Sequence, residues 1–414
     1  MGISLDYTAH SKDVEVNLPA SKSESNRLLI LQFLSGYAFE IEGLSAARDT
    51  QVLKECLQQI KERNKQEELE LDCQDGGTQL RFLLALCSLM PGKFLLKGAP
   101  RLMERPQQEL INSLKTIGAE IINLGEDTNG PWQINGGKLH ATSWEISMAK
   151  SSQFASALLL IAPFMEKTIH LKITDREASW PYVEMTLATL KKLGVSCSMD
   201  EDKLIISPGM HSPHKLSVEA DWSSAAFFYA AQAIRKQGSI LLKNLSLTSV
   251  QGDAIIENLM RYEGMVSTAE GNGLRIRYHE PAWNKNELSI NLINYPDLAP
   301  ALVIYYLSEG RNVNWTGLES LKSKESKRDE VLAEMLTVFG ARLESLNGHW
   351  EQSGSIKGSS QTLNTHDDHR MAMAFALLAI TQQGISLTEV ESVKKSFPNY
   401  WVELENLGIR SNPA

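Results

Sequence analysis

Six times along the chain a small polar cluster opens directly into an apolar run of helical length. Ser21-Lys22-Ser23 precedes 28–34, Gly77-Thr78 precedes 80–89, and Ser151-Ser152-Gln153 precedes 154–162. Asp221-Trp222-Ser223-Ser224 precedes 225–234, Asp297 precedes 298–307, and Asp367-Asp368 precedes 371–380. The markers Ser23, Thr78, Ser152, Ser223, Asp297 and Asp368 recur at intervals of 55, 74, 71, 74 and 71 residues. Ser, Thr and Asp are favoured N-caps, so each marker predicts a helix start. A run apolar on most faces predicts a buried helix.

Second, amphipathic helices are predicted at 110–118, 185–194, 255–264 and 331–340, each stopping at a glycine. Strand-like segments follow from Ala119, Val195, Met265 and Ala341, and further strands are predicted at 93–98, 167–173 and 239–245. The repeat is thus one buried helix, one outer helix and several strands, about 70 residues used six times. The first interval is short. Its charged stretch 61–70 (KERNKQEELE) has no glycine stop and reads as a solvated helix end or loop.

Helices packed in parallel gather their N-termini on one surface, where free N–H groups and a partial positive charge suit phosphates and carboxylates. A single polar marker can be explained by capping alone. Six at one phase, with cations beside most of them, point to an anion site. The cations are Lys22 and Arg27 at the first helix start, Arg81 at the second, Arg105, then Lys324 and Arg328, Arg370, and Lys395.

Composition narrows the class. The 414 residues carry a net charge of −9 and are 43% hydrophobic, which describes a globular chain of two or three domains. An acidic balance argues against general nucleic-acid or anionic-membrane binding. Four dispersed cysteines and nine histidines without ligand spacing predict reduced thiols and no metal site. Residues 1–17 lack a signal-type apolar core, and the longest apolar run, 154–164, is too short to span a bilayer. The expectation is a soluble cytoplasmic protein.

The motifs LPASKSESNR (18–27), DGGTQLR (75–81), ERP (104–106), SSQF (151–154), SWPY (179–182), EADWSSA (219–225), YPDLAPA (295–301), SKESKR (323–328), DDHRMAM (367–373) and KSFPNY (395–400) stand in this order. In their sequence and order the chain resembles the 5-enolpyruvylshikimate-3-phosphate (EPSP) synthase family, the 3-phosphoshikimate 1-carboxyvinyltransferases, nearly end to end. The resemblance implies an α/β enolpyruvyl transferase fold of two domains. Each domain would be an inside-out α/β barrel of three βαβαββ repeats, with helix N-termini facing the interdomain cleft. One domain would be 1–21 plus 220–414, the other 22–219 with its first repeat shortened. The implied reaction moves the enolpyruvyl group of phosphoenolpyruvate to the 5-hydroxyl of shikimate 3-phosphate through a tetrahedral intermediate and releases phosphate. It is a step of the shikimate pathway to chorismate and aromatic amino acids. No cofactor and no metal are implied, and the enzyme would be a monomer.

By motif, the resemblance assigns shikimate 3-phosphate to Lys22, Ser23, Arg27, Ser151, Ser152, Gln153, Ser179, Tyr182, Asp297, Ser320 and Lys324. It assigns phosphoenolpyruvate to Lys22, Gly77, Arg105, Gln153, Arg328, Arg370 and Lys395. The two substrates bring about six negative charges at neutral pH, which seven of these cations would meet. Asp297 would take the proton of the 5-hydroxyl, Glu325 would protonate the methylene carbon, and Lys22 would stabilise charge on the transferring and departing groups. For the proton donor to the leaving phosphate, His369 and Lys395 both stand open. Gly77 lets the backbone approach the small substrate closely. Members with glycine there are typically open to inhibition by glyphosate, a mimic of phosphoenolpyruvate.

The chain departs from the family pattern at Ala20 (usually Gly), Asp75 (Asn), Ser320 (Asn), Lys327 (Asp) and Asp367 (Asn). Asp75 and Asp367 add negative charge near an anion site, and Lys327 adds a positive one. Alternative readings are a catalytically impaired phosphometabolite-binding homologue, an enolpyruvyl transferase acting on UDP-N-acetylglucosamine, and a repeat scaffold or RNA-end-processing relative. The UDP-N-acetylglucosamine enzyme uses a loop cysteine, and residues 92–106 contain none.

Overall fold

The computed structural model describes residues 2–413 except 65, 127–128, 138, 212, 282–286, 347–348 and 359. The chain divides into two compact units, Met1–Ala20 with Glu219–Ala414 and Ser21–Val218.

In the Ser21–Val218 unit the inner helices Lys22–Leu34, Gly77–Leu89 and Ser152–Ile161 pack on one another at the centre. Their apolar residues bury on nearly every face, as in the run from Phe82 to Cys87. One four-stranded sheet runs Glu68–Asp72, Gly92–Lys97, Trp132–Gly136, Glu120–Asn123. Its first two strands are parallel and the rest antiparallel. The parallel pair needs a crossover, and the inner helix Gly77–Leu89 supplies it. The outer helix Gln108–Thr116 then buries Leu110, Ile111 and Leu114 before the closing hairpin. Ser143–Ser147, Ile169–Thr174, Lys203–Ile206 and Cys197–Asp200 repeat the same order. Among the described residues the third sheet has two strands, Lys215–Ser217 parallel to Glu40–Glu42. There the outer helix Arg48–Glu62 is followed by Glu68–Asp72, and among the described residues no hairpin lies between them, in keeping with the 55-residue interval. Residue 65, within the charged stretch, lies outside the described residues.

In the other unit the inner helices are Trp222–Arg235, Ala299–Ser308 and His369–Ala376. Three four-stranded sheets surround them with the same strand order. Two take a strand from the N-terminus: Val14–Val16 lies parallel to Ser239–Lys243, and Gly2–Tyr7 lies between Ile385–Thr388 and Ile409–Pro413. Helices are therefore inside and sheets outside in each unit. Among the described residues the sheets stay separate and do not close into a continuous barrel.

The helix starts correct the capping scheme. Only Asp368 among the six markers is an N-cap, accepting from Arg370 N at 2.9 Å. Elsewhere the cap lies one or two residues earlier: Ser21, Ser151 and Asp221 each accept from a first-turn amide. The helix at Gly77 starts from Gly76 without a side-chain cap. Asp297 sits in the 3-10 turn Pro296–Leu298 that leads into Ala299–Ser308, so its carboxylate is not spent on capping.

Candidate active site

In the unit containing the C-terminus, Asp297 is the hub of an ion-pair cluster. Its Oδ1 accepts from Lys324 Nζ and Arg328 Nη1, both at 3.1 Å, and its Oδ2 accepts from Arg370 Nη2 at 3.1 Å. Arg370 Nη1 also donates to the Asp297 carbonyl at 3.3 Å. The 3-10 turn presents Asp297 here, and Arg370 comes from the first turn of the inner helix His369–Ala376. Burial opposes ionisation of Asp297, but Arg370, Lys324 and Arg328 overcome it and hold its carboxyl well below the usual carboxylate range. Burial lowers the Lys324 ammonium despite Asp297 beside it.

Arg328 is 1% exposed and fully engaged. Beside Asp297 it binds Glu325 Oε2 at 2.8 Å and takes Asp368 through Nε at 2.8 Å and Nη2 at 3.2 Å. The forked guanidinium matches a carboxylate in this two-point manner. Asp368 also accepts from Ser326 N and Oγ, so one buried carboxylate ties SKESKR to the start of the inner helix. Lys395 Nζ lies 3.7 Å from Glu325 Oε1. Asp253 lies nearby: it accepts from Ser223 Oγ, and burial and then the charge of Asp297 push its carboxyl up to about 6. His369 Nδ1 is 3.8 Å from Asp368 Oδ1. Ser320, in the 3-10 turn Glu319–Ser323, takes no part in this cluster among the described residues, and its carbonyl accepts from Ser323 Oγ.

The cations here are thus matched by carboxylates of the chain itself. Charge counting from the sequence alone suggested open cations awaiting anions. The folded cluster is instead near neutrality, because burying unpaired cations is far costlier than burying pairs.

In the Ser21–Val218 unit the first turns of the three inner helices lie side by side. Lys22 Nζ pairs with Asp49 Oδ2 at 2.9 Å. Arg27 is buried and bonds the Ser23 carbonyl (2.7 Å), the Tyr182 carbonyl (3.0 Å), Thr186 Oγ1 (2.7 Å) and Ser156 Oγ (3.2 Å). With no carboxylate among these partners, burial lowers its guanidinium to about 10. Ser179 starts the helix Trp180–Lys192 from a left-handed conformation (φ 57°), which turns the chain sharply ahead of Tyr182.

Gln153, in the first turn of Ser152–Ile161, is held from two sides. Arg81 Nη1 donates to its Oε1 at 2.6 Å, and its Nε2 donates to Thr78 Oγ1 at 3.1 Å. Arg81 also reaches Ser151 Oγ at 3.5 Å, the Pro106 carbonyl at 3.3 Å and Gln107 Oε1 at 2.9 Å. It therefore links Gln153 to the segment carrying Arg105. Gly77 lies against Arg105: a Cβ there would meet Nη1 at 2.9 Å. Ser152, the first helical residue, is buried beside its cap Ser151.

A family model described as EPSP synthase (3-phosphoshikimate 1-carboxyvinyltransferase) matches residues 10–404. The chain belongs to the EPSP synthase family. A 3-phosphoshikimate 1-carboxyvinyltransferase of Bacteroides fragilis is 33% identical over 398 residues, covering 95% of each chain. One of Shewanella piezotolerans is 31% identical over 414 residues, covering 95% of this chain and 96% of its own. The fold is similar to that of an EPSP synthase from Acinetobacter baumannii, with a TM-score of 0.77 at 20% identity over the whole of both chains. No helix among the described residues is long and apolar enough to cross a membrane.

Three residues that the motifs did not single out shape these clusters, Asp49 and Arg81 in the Ser21–Val218 unit and Asp368 in the other. Arg81 and Asp368 stand inside quoted motifs, so position was legible and partnership was not. Asp49, in ARDT (47–50), carries no motif signal at all.

Proposed function

We propose that the residues of these clusters divide the work of the family's reaction among themselves. That reaction is the transfer of the enolpyruvyl group of phosphoenolpyruvate to the 5-hydroxyl of shikimate 3-phosphate, with release of phosphate, in the shikimate pathway. Asp297 is the base on the 5-hydroxyl and Glu325 the acid toward the methylene carbon. Lys22 stabilises charge on the transferring and departing groups. Lys22, Ser23, Arg27, Ser151, Ser152, Gln153, Ser179, Tyr182, Asp297, Ser320 and Lys324 serve shikimate 3-phosphate. Lys22, Gly77, Arg105, Gln153, Arg328, Arg370 and Lys395 serve phosphoenolpyruvate. The enzyme works as a cytoplasmic monomer, and glyphosate competes for the phosphoenolpyruvate groups.

One observation carries this reading: Asp297 is held by Lys324, Arg328 and Arg370 at 3.1 Å each. Those cations are the ones assigned to the substrates' anionic groups. Incoming phosphate and carboxylate draw the cations off Asp297, and its carboxylate regains basicity as they leave. The base is thereby switched on by the substrates it serves. Purified protein given phosphoenolpyruvate and shikimate 3-phosphate should release phosphate only when both are present. Absence of release, or release with one substrate alone, would overturn the reading.

A further inference from the structure

We propose that Asp49 is a positioning residue that fixes where Lys22 Nζ stands during the transfer. The inference rests on the role given above to Lys22. Lys22 is the first residue of the inner helix Lys22–Leu34. A cation there opposes the positive end of the helix dipole, so helix stability does not ask for lysine at this position. Its side chain, 18% exposed, is long and flexible and needs a partner to define the place of its ammonium.

That partner comes from the neighbouring outer helix. Asp49 stands in the first turn of Arg48–Glu62, whose N-cap Ala47 provides no side-chain bond. Asp49 is 3% exposed, and its Oδ2 lies 2.9 Å from Lys22 Nζ. Its Oδ1 has no hydrogen-bond partner among the described residues. A buried carboxylate kept for stability is ordinarily bonded at both oxygens, since each unbonded one carries a desolvation cost. Asp49 bears that cost while bonding one group, Lys22. This same repeat is the short one, with a two-stranded sheet and no closing hairpin among the described residues, and it still carries the helix that presents Asp49. What the shortened repeat preserves is the anchor of Lys22. Misplacing a charged group by about 1 Å can cost on the order of 10²-fold in rate.

The test is a double-mutant cycle read in single-turnover and steady-state kinetics, with thermal unfolding alongside. Asp49→Asn is expected to lower kcat/KM for phosphoenolpyruvate at least tenfold, and Asp49→Glu to recover most of the loss. In a Lys22→Ala background Asp49→Asn should have no further effect on rate. A merely structural Asp49 would lower Tm in both backgrounds and leave the rate of the folded enzyme alone. If Lys22→Ala turns over normally, the role of Lys22 falls and the inference with it. If Lys22→Ala is slow but Asp49→Asn is normal, or slows Lys22→Ala by the same factor as wild type, the inference alone is overturned. Should Asp49→Asn fail to fold, Asp49→Ser completes the cycle: it should slow the enzyme with Lys22 present and not with Lys22→Ala.

Discussion

Gly77 and Arg105 are packed so closely that a Cβ on Gly77 would lie 2.9 Å from Arg105 Nη1 and 3.1 Å from its Cζ. Real Cβ atoms essentially never approach so near, so the guanidinium must move aside.

Gly77→Ala should therefore raise KM for phosphoenolpyruvate by about tenfold, equivalent to ~1.4 kcal/mol, and change kcat less. Glyphosate should lose affinity in the same variant. Steady-state kinetics and inhibition constants check both, and an unchanged KM would show that Arg105 does not meet the small substrate.

Asp297→Asn and Glu325→Gln should each lower turnover by roughly 10²-fold or more, the usual scale of general acid–base catalysis. Near-normal kcat in either variant would refute its assignment.

Asp368→Asn should chiefly cost stability, because it strips a charge from beside the buried Arg328; the loss is roughly 3–5 kcal/mol. Burial disfavours the Asp368 carboxylate, but Arg328 outweighs it and keeps the carboxyl below its usual range. The contribution is therefore present at pH values above the ordinary aspartate range and is lost as pH falls through the lowered folded value. Denaturant unfolding at pH 7 and near pH 3 should show the gap between wild type and variant narrowing in acid. A constant gap would contradict the ion-pair account.

Asp253 has the opposite sign. Burial and the charge of Asp297 raise it to about 6, so the folded state holds its proton more tightly than the unfolded chain. Its contribution is complete below the unfolded value of about 4 and is lost as pH rises through about 6. Asp253→Asn should remove that loss. Relative to wild type, its unfolding free energy should rise between pH 4.5 and pH 7 by on the order of 1–3 kcal/mol, with Tm rising in step. A Tm difference that is the same at both pH values would count against the raised carboxyl.

Arg81→Lys should loosen Gln153, since a lysine cannot span Gln153, Gln107 and the Pro106 carbonyl as the guanidinium does. A several-fold rise in KM for both substrates is expected, with kcat changing less. Unchanged KM values would show that Gln153 is held without it.

Periodicity made the helices legible. The run from Phe154 became Ser152–Ile161, and SILLKNL became the strand Ser239–Lys243. The strand Gly2–Tyr7 was not legible, because its partners Ile385–Thr388 and Ile409–Pro413 are almost the whole chain away. Motifs placed Asp297, Lys324, Arg328 and Arg370 individually. Their convergence on one carboxylate depends on the 3-10 turn Pro296–Leu298, which no local pattern distinguishes from an ordinary helix start. Asp49 was invisible for a related reason: its meaning lies in a partner 27 residues away, beyond any helical or strand period.

The two exchanged strands also govern the order in which the chain can complete itself. Val14–Val16 precedes the helix Lys22–Leu34 in sequence but pairs with Ser239–Lys243, while Lys215–Ser217 precedes Trp222–Arg235 but pairs with Glu40–Glu42. During synthesis the stretch Ser21–Val218 can therefore close its sheets while Val14–Val16 still waits for a partner. Gly2–Tyr7 likewise has no sheet to enter until Ile385–Thr388 emerges. At 5–20 residues per second that wait is roughly 20–80 seconds, during which the apolar Ile3 and Leu5 stand exposed on a nascent strand. A ribosome pausing late in the message would prolong the stage at which this chain is most open to misassembly and to chaperones.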